Sequence, residues 1–158
     1  MRSLTSLRAA EEALRRWLNA AALVRPGGPV VVLAEATLPA VQALIRWDPV
    51  TFSERELAER AELGFPPAVR MASVTGPPEA VADFVGTAGL PDRAEILGPI
   101  PLEGAGGDRP PEASRALIRI GRGDGLELAR ALHAVQATRS ARKDGGAVRV
   151  QLDPAEVA

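Results

Sequence analysis

Residues 52–74, FSERELAERAELGFPPAVRMASV, limit the fold more than any other stretch of the chain. Glu54, Glu56, Glu59 and Glu62 alternate with Arg55 and Arg60 at helical spacing, and Leu57 and Leu63 supply apolar contacts. Gly64 ends the helix, because glycine enters left-handed backbone without steric cost. Pro66 and Pro67 forbid its resumption, since proline lacks an amide donor and drives the residue before it to extended backbone. An apolar, strand-like run follows. The stretch reads as helix, rigid elbow, strand.

Beyond the elbow the hydrophobic pattern changes period several times. Residues 69–74 read as a strand, and Gly76-Pro77-Pro78 turns the chain into a helix over 79–85 with Val81 and Phe84 inward. Residues 95–102 form a second strand, interrupted by Gly98-Pro99 and Pro101 and so expected at a sheet edge. Residues 103–111, EGAGGDRPP, are a loop by composition. In residues 114–120, Ala116, Ile118 and Ile120 face one way, and Arg115, Leu117 and Arg119 the other. Residues 125–140 form an amphipathic helix with Leu128, Leu132 and Val135 at i, i+4 and i+7. Residues 148–153 alternate in a last strand, with Val148, Val150 and Leu152 opposite Arg149, Gln151 and Asp153. The order β-α-β-β-α-β predicts a ferredoxin-like α+β domain: four strands in the order 4-1-3-2, two helices on one face, the other face open.

Before the elbow the pattern is helix, strand, helix. Residues 7–24 are rich in helix formers, with Ser6 as N-cap and Leu7, Leu14, Trp17, Leu18 and Ala21 on one face. Residues 29–34, PVVVLA, read as a buried parallel strand, and residues 38–47 as a second helix that Asp48-Pro49 ends. One strand cannot make a sheet, so this segment is expected to be the tail of a larger α/β unit.

Charge shapes the functional expectation. The net charge of −1 excludes a polybasic chain. Its distribution is uneven: residues 79–114 carry seven acids and two arginines, whereas residues 115–150 carry eight Lys or Arg and three acids. If the apolar strand residues face the helices, the open face carries Arg70, Arg119 and Arg149 on three adjacent strands. Such a row suits the phosphates of a nucleic-acid backbone; a solvated face, or pairing with the acidic block, is the alternative reading. Arg139, Arg142 and Lys143 form a second basic element at the end of the last helix, where they also complement its dipole. Arg122 is expected to converge with Arg119 and Arg149. No aromatic residue lies in the four strands, so base stacking of the RNA-recognition kind is not expected.

Enzymatic readings find little support. The chain has no cysteine and one histidine, His133, which excludes disulfides, thiolate metal sites and histidine clusters. Gly121-Arg122-Gly123-Asp124-Gly125 lies between a strand and a helix but lacks the Gly-Lys-Ser/Thr ending of a phosphate loop, and Asp124 better suits a helix N-cap. No serine sits in a nucleophile elbow. No catalytic residue is expected.

Residues 52–74, the Ile96-Leu97-Gly98-Pro99 turn, residues 116–120, and residues 139–153 with their Val-Gln-Leu-Asp-Pro ending resemble, in order and spacing, the C-terminal domain of the primosomal protein N′ (PriA) family of replication-restart factors. Arg8-Ala9-Ala10-Glu11 is similar to the segment just before the family's final helicase motif. That motif has a Gln and two glycine-framed arginines at the ATP γ-phosphate. Here Leu23 stands near the first arginine's place and the glycine frame is lost, as in the degenerate actinobacterial-like members. The resemblance implies a helicase-lobe remnant over 1–51, an elbow helix and Pro-Pro linker over 52–67, and a ferredoxin-like DNA-binding domain over 68–158. It implies fork or single-stranded DNA as ligand, single-stranded-DNA-binding protein and other primosome proteins as partners, and a cytoplasmic, nucleoid-associated location. The family is an ATP-dependent 3′-5′ DNA helicase. Its ATP and zinc are held by regions with no counterpart in these residues, so no cofactor or metal is expected to bind this chain.

Overall fold

A computed structural model describes residues 8–102, 113–142 and 146–154. Three helices come first: α1 (Ala9–Ala21), α2 (Pro39–Arg46) and α3 (Pro49–Leu63). They pack around Leu14, Ala40, Ala43, Leu44 and Phe52, with Trp17, Leu18 and Ala21 at the margin. The apolar stripe expected on α1 therefore faces this cluster; Ser6 and Leu7 lie outside the described residues.

Asp48 and Pro49 do more than end α2. The Asp48 carboxylate accepts the Thr51 amide at 3.0 Å, and Pro49 fills the first helical position, where a missing donor costs nothing. The elbow helix thus starts three residues earlier than its charge pattern implied. It ends in a Schellman motif: Gly64, at φ +65°, lets the Phe65 amide reach the Arg60 carbonyl (2.8 Å) and the Gly64 amide reach that of Ala61 (3.3 Å).

Residues 29–34 are not a strand. No described strand lies beside them, and a lone strand leaves its amides and carbonyls without ladder partners. Only Val32 packs toward the helical cluster, while Val31 and Leu33 are 83% and 97% exposed.

After the elbow come β1 (Val69–Gly76), α4 (Pro78–Thr87), β2 (Glu95–Leu102), β3 (Ala113–Gly121), a 3-10 turn (Arg122–Asp124), α5 (Gly125–Arg142) and β4 (Arg149–Leu152). Among the described residues the strands form one antiparallel sheet in the order β2-β3-β1-β4. This is the split β-α-β arrangement, and the protein is α+β. β2 lies at one edge and carries a bulge between Leu97 and Ile100, as its glycine and prolines lead one to expect. The loop expected over 103–111 falls outside the described residues.

The sheet's core sits on one side. Ala72 and Val74 of β1 and Ala116, Ile118 and Ile120 of β3 meet Val81 and Phe84 of α4 and Leu128, Leu132 and Val135 of α5. Both helices therefore cover the same face.

Candidate nucleic-acid interface

Antiparallel partners that stand directly opposite share a face, so the register assigns every strand residue to a side. Arg70 stands opposite Ile120, whereas Met71 stands opposite Arg119 and Thr75 opposite both Arg115 and Arg149. Arg119 and Arg149 thus lie on the face away from α4 and α5, as expected. Arg70 does not. It runs in phase with Ala72 and Val74, on the side the helices cover. Arg115 joins Arg119 and Arg149. Its alternation with Ala116 already pointed outward, but it was not among the residues first expected to bind.

The face divides into two halves. At one end, the Arg119 guanidinium pairs with Glu95 (2.5 Å) and donates to the Leu63 carbonyl (3.3 Å). Gly64 lies so close that a Cβ there would stand 2.5 Å from Arg119 Nη1. The elbow therefore occupies this corner of the sheet, and Met71 beside Arg119 is 1% exposed. At the other end, Arg115 donates to the Thr75 hydroxyl at 3.4 Å, and Arg149 on the far side of Thr75 is exposed. Arg119 and Arg149 are four residues apart in register, about 13 Å along the strands, and do not converge.

The remaining candidates separate in the same way. Arg70 pairs with Asp153 at 2.5 Å, and the same carboxylate accepts the Met71 amide at 3.2 Å, which fastens the end of β4 to β1. Arg139 is largely buried and bonded to Asp83 of α4. Arg122 and Arg142 are exposed and, like Arg115 and Arg149, form no ion pair among the described residues. Arg122 lies at the Arg119 end, where it borders a surface cavity of about 440 Å3 with Arg70, Gly123, Gly125 and Leu126. Lys143 lies outside the described residues. The Asp124 carboxylate comes within 3.5 Å of Arg93. Among the described residues no group of three or more His, Asp or Glu could hold a metal ion, and no helix is long and apolar enough to cross a membrane.

These observations define a class: an α+β domain of split β-α-β topology, with an elbow helix docked at one corner of its uncovered face and, at the other, two arginines that form no ion pair among the described residues. Residues 61–155 match the family described as the primosomal protein N C-terminal domain, and the chain belongs to that family. It is 46% identical over 159 residues to a "Probable replication restart protein PriA" of Mycobacterium leprae, across 96% of this chain and 24% of that protein. Proteins of the same name from Mycobacterium tuberculosis and Mycobacterium bovis are 46% identical over 168 residues, across 96% of this chain and 25% of theirs. The chain spans about a quarter of the length of these curated relatives.

Proposed function

We propose that this chain is a DNA-binding element of replication restart, holding the phosphate backbone of fork or single-stranded DNA and carrying no helicase motor of its own. The observation that carries the reading is a set of guanidinium groups that form no ion pair among the described residues: Arg149, Arg122 and Arg142, which are exposed, and Arg115, which is half-buried and bonded to the Thr75 hydroxyl. Arginine's rigid fork of donors matches phosphate oxygens. Ion pairing withdraws Arg70, Arg119 and Arg139 from the first rank of contacts. Its partners would be DNA, single-stranded-DNA-binding protein and other primosome proteins, in the cytoplasm near the nucleoid. No catalytic residue or cofactor belongs to this reading, and the chain alone should show no DNA-stimulated release of phosphate from ATP.

The test is fluorescence anisotropy with labelled fork and single-stranded oligonucleotides over a salt series. The logarithm of the binding constant should fall linearly with log salt, with a slope of about 0.7 per phosphate contact on a single strand. An acidic peptide that binds where DNA does not would instead make the domain a protein-interaction module.

A specific observation also supports an incomplete helical unit. The exposed side chains of Val31 and Leu33 are apolar surface of the kind that further protein covers, in keeping with a helicase-lobe remnant over residues 1–51. Val31→Ser/Leu33→Ser should then raise the solubility of the chain; unchanged solubility would count against the remnant reading.

A further inference from the structure

We infer that the half of the uncovered sheet face away from the elbow is a single-strand platform. Arg115 and Arg149 would take successive phosphates, and the aliphatic patch of Leu97, Leu117 and Ile100 at the β2 side of both rows would take the bases. This rests on the DNA-binding reading above and adds to it the form of DNA and its place on the domain.

The register supplies the geometry. Arg149, Thr75, Arg115 and Ile100 form one row across β4, β1, β3 and β2. Gln151, Ser73, Leu117 and Leu97 form the next. The two guanidinium groups flank Thr75 on strands about 10 Å apart. The Thr75 hydroxyl, 3.4 Å from Arg115 Nε, holds one of them over the sheet. The bulge at Gly98-Pro99 makes the apolar patch possible: it skips two residues of β2, so Leu97 stands opposite Leu117 while Ile100 stands opposite Arg115. Leu97 and Ile100 remain 39% and 57% exposed.

Charge complementarity selects the occupant. No acid lies in either row, whereas the corner beyond them has Glu95 on Arg119. A duplex would offer this face phosphates and sugars only and leave the aliphatic patch in water. A single strand carries a charged edge beside apolar base faces, the same pairing of properties that the two arginines and the aliphatic patch present. Contact with aliphatic groups is weaker than aromatic stacking and insensitive to base identity apart from the thymine methyl.

The test uses the full chain with oligo(dT), an abasic oligonucleotide of the same length, a duplex, and an oligo-glutamate peptide. Arg115→Ala/Arg149→Ala should weaken oligo(dT) binding roughly tenfold or more and lower the salt slope by about 1.4, two phosphates' worth. Leu97→Ser/Ile100→Ser, both at exposed positions, should weaken oligo(dT) binding about threefold to tenfold and leave abasic binding unchanged. Equal affinity for oligo(dT) and the duplex, or no effect of the Leu97 and Ile100 changes on oligo(dT), would overturn the platform. Binding lost through Arg122→Ala/Arg142→Ala but kept in R115A/R149A would also overturn it while leaving DNA binding intact. Failure of every DNA form to bind at low salt would instead remove the DNA-binding reading itself, most plainly if the peptide alone bound through Arg115 and Arg149.

Discussion

Arg70 and Ile120 face each other across β1 and β3, on the side of the sheet that α5 covers. The guanidinium is turned to Asp153, whose amide in turn donates to the Met71 carbonyl at 2.7 Å. Arg70 is therefore a clasp on the C-terminal end of β4. Its side chain is about half exposed, so solvent screens the pair, and Arg70→Ala should cost only about 0.2–1 kcal/mol in urea unfolding. DNA affinity and salt slope should barely change. Arg149→Ala should do the reverse, weakening DNA binding with unfolding unaltered. A loss of affinity in Arg70→Ala as large as that in Arg149→Ala would place phosphate at the clasp.

Gly64 is constrained twice, by its left-handed φ of +65° and by the Arg119 guanidinium that fills the space of a side chain. Gly64→Ala should destabilise the chain by roughly 1–3 kcal/mol from backbone strain and crowding together. Removing Arg119 frees the space and leaves φ as it is. In an Arg119→Ala background the cost of Gly64→Ala should therefore be smaller but not zero, as a double-mutant cycle would measure. Strict additivity would mean that the elbow does not bear on Arg119 in solution.

The helix-facing core was legible because its period is unambiguous: Val81, Phe84, Ala116, Ile118, Ile120, Leu128, Leu132 and Val135 all belong to the cluster where their spacing puts them. The phase of β1 was not. Val69, Met71, Ala72 and Val74 fit either alternation, and only pairing with β3 decides that Ala72 and Val74 turn inward and take Arg70 with them. A buried Ser73 and Met71 on the other face hid the answer further. Residues 29–34 misled for another reason. Composition reports what a segment would do beside a partner, and the described residues supply none. Asp48-Pro49 was legible in principle, since Asp followed by Pro is a helix start as well as a stop.

Glu12 provides a pH marker for α1. Hydrogen bonds from Arg15 and Arg16 hold its carboxyl down to about 2, against an ordinary 4.5. A carboxyl depressed in the folded state stabilises it above the unfolded value and loses that contribution as pH falls through the folded one. Helicity of α1 should thus be insensitive to Glu12 above pH 4.5 and decline between 4.5 and about 2. Carboxyl carbon NMR titration reads the midpoint directly. A midpoint near 4.5, or one that high salt leaves in place, would show that the two arginines do not hold the group in solution.

Arg60 tests whether the two apolar clusters behave as separate units. Its side chain is 8% exposed and lies between Glu11 of α1 at 3.0 Å and Glu56 at 3.6 Å, which ties α1 to α3. Arg60→Ala leaves Glu56, itself 17% exposed, without this cation. Removing one partner of a fully buried pair costs about 3–5 kcal/mol; Glu11 here is more than a third exposed, so the lower end is expected. Arg60→Met keeps the aliphatic stem and should cost less. Because Leu14, Leu44 and Phe52 share no buried cluster with Ala72 or Phe84, the damage should be local. Hydrogen exchange should accelerate in α1 and α2 while the amides of β1 and β3 keep their protection. Equal loss of protection in the sheet would mean that the helical unit and the sheet unfold as one, joined through Leu63 and Arg119 more tightly than a single 3.3 Å hydrogen bond implies.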